Sequence, residues 1–139
     1  MITSFSGDYR FLSNFYWEPM TINGIVFNTN EHFFQARKMI NDQDFETVRL
    51  ARMPALAKRL ARSLPKREDW DEVKEHIMLI GLREKFSHAY MRMRLLETGD
   101  QHLVEGNTWN DTYWGICNGK GQNRLGELLM RVRKDLQNV

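Results

Sequence analysis

Three polar side chains at helical spacing form the first candidate site in the chain. Glu31, Gln35 and Lys38 are four and three residues apart, so they share one face of a helix. With Thr29 or Asn30 as the cap, Glu31 lies in the first turn, where the helix macrodipole stabilises a carboxylate by about 0.3–1 kcal/mol. A carboxylate, an amide and an ammonium in a row suit a polar heterocycle linked to a sugar. A glutamate in a first turn is also ordinary helix chemistry.

The second candidate site is a loop rich in aromatic residues and glycine. It reads Trp109-Asn110-Asp111-Thr112-Tyr113-Trp114-Gly115 and continues as Asn118-Gly119-Lys120-Gly121-Gln122-Asn123. A carboxylate among large rings is partly desolvated, and the rings can stack on planar groups. Gly119 and Gly121 allow close backbone approach, and the helix that follows offers unpaired N–H groups to an anion. A glycine-rich turn held by aromatic packing explains the same residues, so both interpretations stay open.

A basic run without any acidic residue is the third feature. Seven lysines and arginines lie between residues 49 and 67: Arg49, Arg52, Lys58, Arg59, Arg62, Lys66 and Arg67. Such a run can bind phosphate or nucleic acid. Alanines and leucines interleave with the charges as in an amphipathic helix, so we predict a solvated helix face.

The histidines and the cysteine favour no metal site. His32, His76, His88 and His102 lack the H-E-x-x-H spacing of a zinc site. The single cysteine, Cys117, rules out an internal disulfide and a cysteine-based structural zinc site. No histidine lies near Cys117 in the sequence to activate it as a nucleophile. We therefore expect no metal.

Length and charge set broader limits. The chain of 139 residues fits one domain over residues 1–139. The net charge of +2 is too small to require a nucleic-acid partner. No basic region followed by an apolar run marks a secretion signal, and no stretch approaches the ~18 apolar residues of a membrane helix. The sequence predicts a soluble, cytoplasmic protein.

The elements that must position these residues are mostly helical. Asn23-Gly24, between two short apolar segments, predicts a β-hairpin. Pro54 fits the first turn of a helix. Helices are predicted at 31–40, 44–52, 54–63, 68–86, 90–97 and 123–136, with a short strand at Leu103-Val104 and a loop over 109–121. The fold class is α+β, a largely helical body with a few short strands.

Taken together, successive sequence blocks resemble those of the NADAR family, and they cover nearly the whole chain. The blocks are Phe11-Leu12-Ser13-Asn14-Phe15, Asn30-Glu31-His32-Phe33-Phe34-Gln35-Ala36-Arg37-Lys38, Arg67-x-Asp69-Trp70, Leu95-Leu96-x-Thr98-Gly99, Leu103-Val104-Glu105, Asp111-x-x-Trp114-Gly115 and Gly119-Lys120-Gly121-Gln122-Asn123, which continues to Arg133. The family pattern has a glycine where this chain has Cys117, and the cysteine can alter the wall of the pocket.

The resemblance implies a mostly helical N-glycosidase that needs no cofactor. Some members hydrolyse phosphoribosylamino-pyrimidine intermediates of riboflavin synthesis, and others remove ADP-ribose from guanine bases. The implied partner is a small ribosylated or ADP-ribosylated compound, or an ADP-ribosylated nucleic acid. The competing functions are a non-catalytic module that binds ADP-ribose or a nucleotide, and a nucleic-acid-binding domain that uses the basic run.

Cleavage of a C1′–N bond passes through an oxocarbenium-like cation, which needs a nearby carboxylate, a donor for the leaving base and a stacking surface. We assign the carboxylate role to Glu31 or Asp111 and expect both in one pocket. The other assignments cover the base, the ribose and the phosphate. We expect Trp70, Trp114 or Phe34 to stack on the base. Asn14, Gln35 and Lys38 are expected to bind the base or the ribose. The turn from Gly119 to Asn123, with nearby basic residues, is expected to bind phosphate.

Overall fold

The computed structural model describes residues 1–139 as a mostly helical protein with four very short strands. The helices are α1 (Asn30–Arg37), α2 (Asp42–Arg49), α3 (Pro54–Arg62), α4 (Trp70–Lys85), α5 (Ala89–Glu97) and α6 (Arg124–Gln137), with a 3₁₀ helix at Gly7–Leu12. The strands are β1 (Met20–Ile22), β2 (Ile25–Phe27), β3 (Gly106–Asn107) and β4 (Ile116–Cys117). The predicted α+β class is confirmed. None of the helices is both long and apolar enough to cross a lipid bilayer.

The chain divides into two compact units. Residues Asn14–Lys85 form the first, which we call the internal unit. Met1–Ser13 and Phe86–Val139 form the second, which we call the terminal unit. The internal unit contains the hairpin and helices α1 to α4, and the terminal unit contains the 3₁₀ helix, β3, β4, α5 and α6. The two candidate sites therefore lie in different units.

The internal unit begins with the predicted hairpin. Strands β1 and β2 pair antiparallel, with Ile22 opposite Ile25. Asn23 and Gly24 connect them with φ angles of 53° and 78°. These left-handed conformations at both central residues match the twist of paired strands, and Asn-Gly adopts them readily. The prediction from this dipeptide is confirmed.

Helix α1 lies at the centre of the internal unit and packs against α2, α3 and α4. It begins where predicted, because the hydroxyl of Thr29 accepts a hydrogen bond from the N–H of His32 at 3.1 Å. Every residue from Asn30 to Ala36 is buried. The side chains of Asn30 and Phe33 pack against α4 at Gly81, where an added Cβ would collide with them. The polar side chains of α1 therefore need partners inside the protein.

The terminal unit joins the two ends of the chain. The N–H of Ile2 donates to the carbonyl of His102 at 2.9 Å, and the N–H of Val104 donates to the carbonyl of Ile2 at 2.8 Å. The 3₁₀ helix packs on α5, where the guanidinium carbon of Arg94 lies 4.4 Å from the ring centre of Phe11. Helices α5 and α6 pack together, and Leu125, Leu128, Leu129 and Val132 of α6 are buried.

Several element bounds differ from the predictions. Helix α1 ends at Arg37 rather than near residue 40, and α2 begins at Asp42 because the side chain of Asn41 accepts the N–H of Asp44 at 2.8 Å. The strand predicted at Leu103-Val104 is reduced to a single parallel bridge between Ile2 and Leu103. The loop predicted over 109–121 contains strand β4, which pairs parallel with β3.

Candidate active site

Glu31 is a buried carboxylate in the first turn of α1. Glu31 is only 6% exposed, and its backbone N–H donates to the carbonyl of Asn14 at 3.0 Å. One turn later, the Nε2 of Gln35 donates to Oε2 of Glu31 at 2.7 Å. The predicted shared face of Glu31 and Gln35 is therefore confirmed. The amide holds the carboxylate in a fixed orientation, and the helix N-terminus stabilises its charge.

The other end of the Gln35 amide has no partner. Because an ionised carboxylate only accepts hydrogen bonds, the contact with Glu31 fixes Nε2 on that side and leaves Oε1 as the remaining polar atom. Gln35 is 4% exposed, and its Oε1 is buried without a hydrogen bond. An acceptor buried in this way costs about 1–3 kcal/mol unless a donor reaches it. It sits beside the carboxylate, where an N–H or O–H group of a substrate could serve.

Lys38 follows on the same side of α1 and lies beside two aromatic rings. Its Nζ is 5.8 Å from the ring centre of Phe34 and 5.5 Å from that of Trp70. The two rings contact each other with centres 4.9 Å apart, and both are buried. Their observed contacts are with each other and with the ammonium, so stacking of either ring on a base stays a prediction. Cation–π contacts of this kind hold an ammonium at a ring face.

The charges around Lys38 come from several chain segments. Burial lowers the pKa of Lys38, and the negative charge of Glu31 acts in the opposite direction. The positive charges of Lys66, Lys58 and Arg62 lower the pKa further. Arg62 and Lys66 are exposed, as the predicted solvated face requires, but the influence of these cations on Lys38 was not predicted from the sequence.

Asn14 forms hydrogen bonds with the first residues of α1. Its Oδ1 accepts from Nδ2 of Asn30 at 2.8 Å, and its own Nδ2 donates to the sulfur of Met78 at 3.4 Å. With its carbonyl bound to the N–H of Glu31, Asn14 fixes the position of the catalytic candidate through the backbone. Its predicted contact with a base or a ribose stays a prediction.

His32 is held by two hydrogen bonds and belongs to the fold. Its Nε2 lies 2.8 Å from the carbonyl of Ala51 and must donate there, since a carbonyl only accepts. In the neutral ring, Nδ1 then accepts from the hydroxyl of Thr29 at 2.8 Å. Burial lowers the pKa of His32, which favours this neutral form, and the bond to Ala51 opposes the shift. The histidine ties α1 to the chain that follows α2.

In the terminal unit, Asp111 binds the backbone of its own loop. Its Oδ1 accepts from the N–H of Tyr113 at 3.1 Å and from the N–H of Trp114 at 2.9 Å. The side chain of Asn107 bonds both the N–H and the carbonyl of Asp111, at 3.0 Å and 2.9 Å. These contacts are those of a turn-forming carboxylate. They support the scaffold interpretation for one oxygen of Asp111, and its catalytic role stays a prediction.

The aromatic residues of this loop are partly accessible. Trp114 is half-buried, and its ring meets that of Tyr113 edge-on with centres 4.9 Å apart. Trp109 is 60% exposed. Cys117, the departure from the family pattern, is buried in β4. A half-buried indole beside a second ring is compatible with the predicted stacking of Trp114 on a base.

The N–H groups of Arg124 and Leu125, at the start of α6, bind carbonyl groups of the preceding loop. Asn118 and Gly119, with φ angles of 53° and 76°, form a tight turn closed by hydrogen bonds between Cys117 and Lys120. The N–H groups of Arg124 and Leu125 each donate at 3.0 Å, to the carbonyls of residues 113 and 114. The expectation that these helix-terminal N–H groups are unpaired is wrong, because the preceding loop folds back over them. Phosphate binding here loses that physical basis.

Asn123 likewise serves the backbone. Its Oδ1 accepts from the N–H of Glu105 at 2.9 Å, and its Nδ2 donates to the carbonyl of Leu103 at 2.9 Å. Its backbone has the left-handed φ of 52°. The side chain fixes segment 103–105 against the beginning of α6. A direct contact between Asn123 and substrate stays a prediction.

The predicted site residues thus fall into two groups. The internal unit contains Asn14, Glu31, Phe34, Gln35, Lys38 and Trp70, and the terminal unit contains Asp111, Trp114, Gly119 and Asn123. The structure brings Glu31 together with Gln35, and Lys38 together with Phe34 and Trp70. That Asp111 and Trp114 share a pocket with Glu31 stays a prediction.

Comparison with known proteins identifies the family. The model of the NADAR domain matches residues 3–137. The chain belongs to the NADAR family. N-glycosidase YbiA of Escherichia coli (strain K12) is 44% identical over 137 residues, which are 96% of this chain and 85% of that protein. The NMR structure of E. coli YbiA superposes with a TM-score of 0.88 at 42% identity, covering 99% of this chain and 83% of that one.

A second type of NADAR relative carries a different name. The riboflavin biosynthesis protein VVA0006 of Vibrio vulnificus (strain YJ016) is 37% identical over 134 residues, which are 94% of this chain and 36% of that protein. An N-glycosidase of Nostoc punctiforme is 38% identical over 138 residues, which are 94% of this chain and 88% of that protein. The predicted family and the enzyme class, an N-glycosidase, are confirmed by these relatives.

Proposed function

We propose that this NADAR protein hydrolyses the C1′–N bond between a ribose and a heterocyclic base. The observation that carries the proposal is the buried pair of Glu31 and Gln35, in which the carboxylate is held in place and the neighbouring Oε1 acceptor has no partner. The substrate classes are phosphoribosylamino-pyrimidine intermediates of riboflavin synthesis and ADP-ribosylated guanine. The name of the Vibrio relative favours the first class.

Glu31 supplies the negative charge that the reaction needs. As the C1′–N bond breaks, positive charge develops on the ribose, and a carboxylate near C1′ stabilises that cation or activates the attacking water. The hydrogen bond from Gln35 fixes the orientation of the carboxylate before the substrate arrives. A preorganised charge of this kind stabilises the transition state without reorganisation during the reaction.

Gln35 and Lys38 bind the groups around the bond that breaks. The buried Oε1 of Gln35 accepts from a hydroxyl of the ribose or an amino group of the base. The ammonium of Lys38 donates to the base as negative charge develops there, and its attraction to Glu31 opposes the lowering of its pKa by burial. Phe34 and Trp70 form the apolar wall beside this ammonium.

Asp111 and Trp114 contribute from the loop of the terminal unit. We propose that Trp114 stacks on the base and that the charge of Asp111 assists the reaction while its Oδ1 maintains the turn. These two roles rest on the family block and on the half-buried indole. Substitutions of Asp111 and Trp114 can separate these two roles from the role of Glu31.

The test is the release of free base from a panel of substrates. The purified protein is incubated with a phosphoribosylamino-pyrimidine and with an ADP-ribosylated guanine oligonucleotide, and the products are identified by mass. We expect release of base from at least one of them. A ligand that binds and is recovered intact after long incubation would instead make the protein a binding module.

A further inference from the structure

Helix α3 and the segment after it bring positive charges to the end of α1. Helix α3 packs against α1. Lys58 and Arg62 are four residues apart, so they lie on the same face of α3. The chain then returns along α1, where residue 66 forms a bridge with Met39 and the N–H of Arg67 donates to the carbonyl of Lys38 at 3.0 Å. Lys66 is thereby fixed beside the last turn of α1.

The cations of this cluster, Lys38, Lys58, Arg62 and Lys66, are not balanced by carboxylates. Neither Lys58, Arg62 nor Lys66 has an ion-pair partner, whereas Arg67 next to them is paired with Asp69 at 2.6 Å. The positive charges of Lys58, Arg62 and Lys66 lower the pKa of Lys38, and only one carboxylate, that of Glu31, raises it. Like charges four residues apart on a helix repel each other. A bound anion would relieve this repulsion.

The position of Lys38 gives the anion a place in the reaction. Charges of both signs act on Lys38: the negative charge of Glu31, and the positive charges of Lys58 and Arg62 on α3 and of Lys66 after it. A ribose 5′-phosphate needs charges of both signs, because its reacting C1′ is stabilised by a carboxylate and its anionic group by cations. The N–H groups at the start of α6, by contrast, already bind carbonyl groups.

We propose that the cationic cluster of Lys38, Lys58, Arg62 and Lys66 binds the 5′-phosphate or diphosphate of the substrate. The proposal rests on the proposed function, since it assigns the anionic end of the same ribosylated compound. It replaces the glycine turn as the phosphate site. Lys38 would then link the two ends of the ribose, with the phosphate on the α3 side and the glycosidic bond on the side of Glu31.

The decisive variant is the double substitution Lys58→Gln with Arg62→Gln. Its matched control is Arg52→Gln with Arg59→Gln, which removes the same charge from exposed positions of the same basic run. We measure kcat and KM for a phosphoribosylamino-pyrimidine and for its dephosphorylated form. The Lys58/Arg62 variant should raise KM for the phosphorylated compound by at least about tenfold, the effect of a single lost charge-assisted contact, because two cations are removed. KM for the dephosphorylated compound should not change.

A binding measurement separates this proposal from the proposed function. Inorganic pyrophosphate is titrated into both double variants and the wild type by calorimetry, and melting curves establish that the variants are folded. Weaker pyrophosphate binding by the Lys58/Arg62 variant alone supports the site, even if no ribosylated substrate is hydrolysed. Equal pyrophosphate affinity and equal KM values in the two double variants would overturn it, whether or not the enzyme turns over.

Discussion

Helix α1 and the loop that leads into α6 are both rich in polar side chains, and they use them in opposite ways. In α1, Gln35 binds the carboxylate of Glu31 and keeps a buried acceptor without a partner. In the loop, the side chains of Asn107, Asp111 and Asn123 all bind backbone groups. Polar groups of the first kind can interact with a substrate, whereas those of the second kind hold the chain in its turns.

The difference shows which polar motifs can be assigned to chemistry. A buried acceptor without a partner costs free energy, and that of Gln35 belongs to the side chain that binds the carboxylate of Glu31, where a donor from a substrate would remove the cost. A carboxylate that binds two backbone N–H groups is explained by folding alone. The comparison therefore favours Glu31 over Asp111 as the carboxylate nearest to the reacting bond, and substitutions can test that order.

The largest effect is expected for Glu31→Gln. The change is nearly isosteric, and it removes the charge that stabilises the ribosyl cation. We expect kcat to fall by about 10²–10⁴-fold, the range for a positioned acid or base, with the thermal midpoint nearly unchanged. Glu31→Asp, which keeps the charge, is the control and should retain part of the activity. A kcat within threefold of the wild type for folded Glu31→Gln would remove Glu31 from the mechanism.

Asp111 distinguishes scaffold from catalysis through two substitutions. Asp111→Ala leaves the N–H groups of Tyr113 and Trp114 without their acceptor, so we expect a stability loss of about 2–3 kcal/mol. Asp111→Asn keeps the Oδ1 acceptor and should melt near the wild type, while kcat falls more than binding weakens. Denaturation and steady-state kinetics measure both. A wild-type kcat in Asp111→Asn would make this residue purely a part of the turn.

Trp114→Ala tests whether the loop contributes a binding surface. If the indole stacks on the base, substrate binding should weaken by about 1–3 kcal/mol, and kcat should change less. The affinity is measured by calorimetry on the Glu31→Gln background, where the substrate stays intact. Tyr113→Leu is a control for the loss of ring packing. An affinity loss that disappears after correction for the folded fraction would assign Trp114 to the scaffold.

Lys85 extends the comparison to a buried charge of the internal unit. Burial lowers its pKa to about 7, and the charge of Glu18 acts in the opposite direction. Between this value and 10.5, the unfolded chain binds more protons than the folded one, so stability rises with pH. We expect wild type to gain about 2 kcal/mol between pH 7 and 9 relative to Lys85→Met. Parallel stability curves for the two proteins across this range would contradict the expectation.

The smallest expected effect is that of metal removal. The histidines lack ligand spacing, and the proposed chemistry uses only side chains. Dialysis against a chelator should leave kcat and KM unchanged. An activity loss that zinc, manganese or magnesium restores would show that the carboxylate of Glu31 acts together with an ion.

The sequence could predict the features that depend on near neighbours in the chain. The Asn23-Gly24 hairpin, the Thr29 cap and Pro54 at the start of α3 follow from local backbone chemistry. The bond between Glu31 and Gln35 follows from the spacing of four residues on a helix. These predictions are confirmed because each needs only a few adjacent residues.

Features that depend on distant segments escaped prediction. Strands β3 and β4 have two residues each, too few to show a periodic pattern. The grouping of Lys58 and Arg62 with Lys38 requires the packing of α3 against α1, which charge spacing cannot reveal. In the loop, the residue types of Asp111 and Asn123 suit a substrate as well as a backbone, and their hydrogen bonds become visible only in three dimensions.

The pairing of Ile2 with residues 102–104 also orders events during synthesis. The internal unit is one continuous segment, so all of its contacts can form as soon as residue 85 has left the ribosome. Ile2 must wait for a partner made some hundred residues later, and closing so long a loop is slow. We therefore expect the helix that carries Glu31 to be folded in nascent chains while the terminal unit is still incomplete.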